Sequence, residues 1–87
     1  MKTIWKFTLK PQCELLMPKG AEVLSAREQY GAVCLWVLVD PDATAQEARH
    51  FRVRGTGHSI EGDPGRFIDT VTLQGGALVW HVFEVRP

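Results

Sequence analysis

The chain has 87 residues, enough for one domain with one modest hydrophobic core. Ten basic residues balance ten acidic ones, which argues against general nucleic-acid binding, since that needs a basic excess. An apolar content of 45% suits a folded protein better than a tail or linker, and no apolar run approaches membrane-spanning length.

The elements follow in chain order. Residues 3–9 alternate, with Trp5, Phe7 and Leu9 on one face and Ile4, Lys6 and Thr8 on the other, the pattern of an amphipathic strand. Lys10-Pro11 ends it, because proline donates nothing to a ladder. A short strand is expected over Cys13 to Leu16, then a turn at Pro18-Lys19-Gly20. Residues 22–29 are read as a strand in preference to a helix, joined by a tight loop near Gln29 to Gly31 to the run Val33–Val39. That run is apolar at both parities and reads as a central strand buried on both faces. Asp40 to Thr44 is a loop, after which Thr44 to Arg49 has room only for a helix of barely one and a half turns. A strand is expected over 48–54, and Ser59 to Arg66 is a surface excursion rich in turn residues. Phe67 to Leu73 is a strand with Thr70 and Thr72 exposed. Gln74-Gly75-Gly76 makes a hairpin turn, and Ala77 to Val85 is the last strand. Residues 1–87 are therefore expected to form one all-β domain, a small antiparallel sandwich or partly open barrel of six to seven strands.

The densest chemical resource is His50-Phe51-Arg52-Val53-Arg54-Gly55-Thr56-Gly57-His58. Alternation sends Phe51 and Val53 to one side and His50, Arg52 and Arg54 to the other. Arginines two apart on a strand stand about 7 Å apart, a spacing at which both reach neighbouring oxyanions. Gly55 and Gly57 allow a sharp turn or the close approach of a ligand, and the loop adds N–H groups, the Thr56 hydroxyl and the His58 ring. The loop fits neither a P-loop nor a dinucleotide fingerprint, and it leads into no helix. The bland rival is a solvated face whose arginines pair with Glu47, Glu61 or Asp63.

Other chemistry is thin. Trp5, Trp36 and Trp80 all fall on strands, where burial in the core is their simplest use. Trp80 is the one expected to face outward as a stacking platform, with Val79 and Phe83 filling the core from the opposite parity. His50, His58 and His81 show no metal-ligand spacing, so no metal is expected, and His81 reads as a core-edge histidine with one backbone hydrogen bond. No catalytic signature is present, and Asp40 and Asp42 flank a proline in a plain turn, so no enzyme and no cofactor are expected. The start of the chain lacks the long apolar segment of a secretion signal. The expected compartment is thus the cytoplasm, with Cys13 and Cys34 as free thiols and a disulfide between them as the alternative. Neutral net charge and two doubly apolar strands suggest a homo-oligomer.

The pattern Ile4-Trp5-Lys6-Phe7, Met17-Pro18-Lys19-Gly20-Ala21, Cys34-Leu35-Trp36, Val39-Asp40-Pro41, Gly55-Thr56-Gly57-His58 and Gly75-Gly76-Ala77-Leu78-Val79 resembles a family of short hypothetical proteins of phages and prophages, over nearly the whole chain. The resemblance carries over no activity and no functional residue. It implies a setting, the cytoplasm of an infected host cell, where small proteins act as defence inhibitors, virion components or assembly helpers. The expectation is then a non-enzymatic binding protein that sequesters a phosphorylated small molecule or nucleotide. Arg52, Arg54, Thr56 and His58 would hold the anion and an exposed aromatic the base. The alternatives are an inhibitor that binds a host protein through the same face, and a structural or assembly protein of the virion.

Overall fold

The computed structural model describes residues 1–86. Seven strands occur in chain order: β1 (Thr3–Thr8), β2 (Gln12–Pro18), β3 (Glu22–Gln29), β4 (Ala32–Val39), β5 (Gln46–Gly55), β6 (Arg66–Leu73) and β7 (Leu78–Val85). A single 3-10 turn at Gln74–Gly76 links β6 to β7. The strands form two antiparallel sheets, β1-β4-β3 and β2-β5-β7-β6, packed as a sandwich.

Strand alternation builds the core. Val33, Leu35, Val37 and Val39 of β4 are all buried, and across the interior they meet Met17, Phe51, Val71 and Val82 of the four-stranded sheet. The other row of β4 faces outward, and there Cys34 is buried while Trp36 and Leu38 are only half-buried. Burial on both faces therefore holds in full for one face of the central strand. β1 lies at an edge, which leaves Trp5 40% exposed although it is on the core side with Phe7 and Leu9.

Turn chemistry sets the registers. Gln29 and Ala32 are the last cross-strand pair of β3 and β4, and the two residues between them, Tyr30 (φ 52°) and Gly31 (φ 81°), both have positive φ. That is the mirror-image turn whose twist matches paired strands. β3 and β6, edge strands of opposite sheets, run against each other along one side of the sandwich. There the Asp69 carboxylate accepts the Ala26 N–H at 3.2 Å, so a side chain supplies the bond that no strand provides.

Two local expectations are corrected. β2 runs from Gln12 to Pro18, beyond the expected Cys13–Leu16, because β5 pairs with it residue for residue back to Gln46. The same pairing removes the helical option at Thr44–Arg49, since a segment too short to nucleate a helix gains more from a ladder.

Candidate functional site

On β5 the faces separate as alternation requires. Phe51 is fully buried, while His50, Arg52 and Arg54 stand half-buried on the outer face of the four-stranded sheet. Their cross-strand neighbours are Glu14 and Gln12 on β2, and Val85, Phe83 and His81 on β7. Arg52, Arg54 and His58 line one shallow depression of about 220 Å³ with Pro11, Gln12 and Ser59.

Among the described residues neither arginine has a carboxylate partner. Glu47, the nearest expected competitor in sequence, pairs with Arg49 instead. The Arg54 guanidinium lies 5.9 Å from the Phe83 ring centroid, within cation–π range. Its Nε is covered and meets no acceptor, a state that costs about 1–3 kcal/mol. His50 stands one row away, 3.8 Å from the Glu14 carboxylate, and shares a separate depression with Glu14 and Arg52. A carboxylate there disfavours a second anion, so the basic site narrows to Arg52, Arg54 and His58.

Two N–H groups of the glycine loop are used internally. The Thr56 N–H donates to Val79 O at 3.2 Å, and the His58 N–H to Gly55 O at 3.1 Å. The Thr56 hydroxyl sits 2.7 Å from His81 Nε2, and the Thr70 hydroxyl 3.0 Å from Nδ1. Thr56 Oγ1 also donates to Val79 O (3.4 Å), which leaves it to accept from Nε2–H while Thr70 donates to Nδ1. His81 thus holds two hydroxyl bonds on the outer face, in place of the single backbone bond expected. The Thr56 hydroxyl is engaged with His81 and with the β7 backbone.

Gly57 takes φ 84° in the turn, whereas Gly55 is needed for space. A Cβ at position 55 would meet His58 Cε1 at 2.7 Å and Trp80 Cζ3 at 3.0 Å. The close approach that Gly55 allows is therefore to His58, whose ring stands edge-on to Trp80 at 6.2 Å between centroids.

Trp80 does not face outward. Val53 pairs with the fully buried Val82, and that register turns Trp80 toward the core while Val79, His81 and Phe83 line the outer face. The apolar row of β7 expected inside is the one outside. Trp80 instead forms a wall of an apolar cleft of about 340 Å³ between the sheets, with Leu9, Val33, Val53 and Leu73. All lie at the end of the sandwich where β1, β5 and β6 finish and β4 and β7 begin. Sequence reading missed this cleft, since its lining comes from five separate strand ends.

The other residue missed is Arg49, at the opposite end of β5. It forms a bidentate pair with Glu84 (Nη2 to Oε1, 2.9 Å) and donates to Ala21 O at 2.6 Å. The bond to Glu84 raises the Arg49 pKa above its ordinary value, burial opposing the shift. Each guanidinium nitrogen of Arg49 is engaged with β7 or the β2–β3 corner, so the cluster is a clamp. Cys13 and Cys34 are free, and among the described residues no group of three or more His, Cys, Asp or Glu is placed to hold a metal ion. Among the described residues no helix is long and apolar enough to cross a membrane.

A family model described as "Domain of unknown function (DUF7352)" matches residues 1–87. The chain belongs to that family. No curated protein and no solved structure matches it. In this DUF7352 member, Arg52, Arg54 and His58 are the basic side chains that line the depression.

Proposed function

We propose that the chain is a non-enzymatic binding protein for a small phosphorylated ligand, nucleotides included, held by Arg52, Arg54 and His58 on the outer face of the four-stranded sheet. The observation that supports this is two adjacent arginines that share a depression with a histidine and have no carboxylate partner among the described residues. Guanidinium groups bind phosphate oxygens in bidentate fashion, and each charge-assisted bond contributes about 1.5–3 kcal/mol. Sequestration of such a ligand in the cytoplasm of an infected cell, against a host defence, is the setting that the phage-protein resemblance suggests.

Titration calorimetry with phosphate and nucleoside phosphates tests the reading. Arg54→Ala and Arg52→Ala should each weaken binding at least tenfold with little change in melting temperature. Lysine should rescue poorly at either position, because it lacks the planar fork. A wild-type protein that binds none of these compounds would refute the proposal.

A second reading has its own observation. Phe67 is 54% exposed and packs edge-on against Phe83 at 5.7 Å, beside Arg54. Aromatic and arginine side chains on one open face are the composition of a protein-binding hot spot. In this reading the partner is a host protein, and Phe67→Ala abolishes its capture while phosphate binding is untouched. The open outer face of the three-stranded sheet further supports self-association of the chain as a homo-oligomer.

A further inference from the structure

We infer that the apolar cleft beside Trp80 is a second binding site, for a small monocarboxylate with an apolar body whose head meets Lys10. The inference is independent of the phosphate-binding reading. Val53 turns inward between the outward-facing Arg52 and Arg54, so the four-stranded sheet itself separates the cleft from the basic depression.

The cleft is preformed. Its rim includes the turn Leu9-Lys10-Pro11, which is tied to both sheets. The Leu9 N–H donates to Val33 O of β4 at 2.8 Å, and Pro11 O accepts the Val53 N–H of β5 at 2.9 Å. Leu9 and Val33 are buried, while Val53, Leu73 and Trp80 stand half-buried around the opening. Trp80 sets its Cζ3 edge against Gly55. The indole nitrogen is bonded to the ring carbon opposite Cζ3, so its N–H points away from Gly55. The cleft volume of about 340 Å³ lies at the lower end of the range for small-molecule sites, which calls for a compact occupant.

The lining selects the occupant. Apolar side chains form its walls, and Lys10 is the one charged residue that lines it. No side chain of the lining accepts a hydrogen bond, since Lys10 and Trp80 offer donors only. A cationic or donor-rich ligand would lose its bonds to water there without side-chain replacement, whereas hydrocarbon meets no such penalty. Lys10 has no carboxylate partner among the described residues, and the bonds at Leu9 and Pro11 fix the backbone on either side of it. An ammonium is a compact single charge, which a monocarboxylate balances and a phosphate dianion exceeds. The ligand therefore lies with its apolar body between the sheets and its carboxylate at the rim.

The experiment is an NMR titration of the full chain with acetate, and with octanoate and octylammonium below their micellar concentrations. Each buried methylene contributes about fourfold in affinity, so octanoate should bind at least tenfold tighter than acetate. It should shift the Trp80 indole and the Leu9 and Leu73 methyl signals, and leave the Arg52 and Arg54 side chains unmoved. Octylammonium has the same tail and the opposite head, and should bind about three- to fivefold more weakly, the contribution of an exposed ion pair. Lys10 is exposed in a turn, so Lys10→Glu should fold as the wild type does and reverse that preference. Octanoate that binds no tighter than acetate, or leaves Trp80 and Leu73 unmoved, would overturn the inference. Equal binding of the two heads by the wild type would do the same, as would a carboxylate preference that survives Lys10→Glu. Trp80 signals that respond to dilution of the protein and not to octanoate would assign the cleft to a second copy of the chain, which also overturns it. Each of these results leaves phosphate binding at Arg52 and Arg54 to stand or fall on its own titration.

Discussion

At Gly65 the backbone has least room. Its φ is +89°, and a Cβ there would fall on the carbonyl of Glu84, which is backbone and does not yield. Gly57 has a similar φ of +84° with nothing within 4 Å. Gly65→Ala should therefore cost about 2–4 kcal/mol, and Gly57→Ala only about 1 kcal/mol, both read by denaturant titration. Similar losses at the two positions would show that φ alone, and not the contact with β7, controls them. Glu84→Gln leaves the mostly buried Arg49 guanidinium with only the looser Glu47 contact at 3.5 Å, and about 1–3 kcal/mol of stability should disappear. Arg49 holds its proton more tightly folded than unfolded. Its contribution is then complete below the ordinary arginine pKa and is lost only as pH rises through the higher folded value. Between about pH 5 and 9 this proton should add no pH dependence to stability.

Among the elements, the seam between β3 and β6 is the most exposed to a single change. Each strand carries a register irregularity, β3 between Val23 and Ser25 and β6 between Phe67 and Asp69. Bulges of this kind re-aim side chains, and Asp69 is re-aimed at the Ala26 N–H of the opposite sheet. Asp69→Ala should cost about 1–2 kcal/mol and speed hydrogen exchange at Ala26, whereas Asp69→Asn keeps an acceptor and should retain most of the protection. Unchanged exchange at Ala26 in the alanine variant would mean that β3 and β6 hold together by apolar packing alone.

For the whole molecule, the outer face of the three-stranded sheet keeps an apolar patch open. Ile4 is 53% exposed beside the half-buried Trp36 and Leu38, and β1 presents an unpaired edge. With a net charge of zero, little repulsion opposes the meeting of two such faces. A closed dimer is the expected outcome, packed face to face or paired along β1. Sedimentation at micromolar concentration should give twice the chain mass, and Ile4→Lys should return the monomer without unfolding it. A wild-type monomer at that concentration would defeat this expectation.

The amino-acid sequence by itself determined the elements. Turn residues such as Tyr30-Gly31 and Gln74-Gly75-Gly76 act within a few bonds, and the alternation around Phe51 and Val53 needs no partner to be read. It therefore placed Arg52 and Arg54 together on one face opposite the core. Where both parities are apolar, as in β4 and β7, local pattern carries no direction, and the facing sheet decides. The pairing of Val53 with Val82 put Trp80 inside and Phe83 outside, the reverse of the local reading. Likewise only the folded chain brings Leu9, Val33, Leu73 and Trp80 to one cleft, and Arg49 to Glu84 across 35 residues. These are encounters between distant segments, fixed by which strands pair and at what register, and no short-range propensity encodes them.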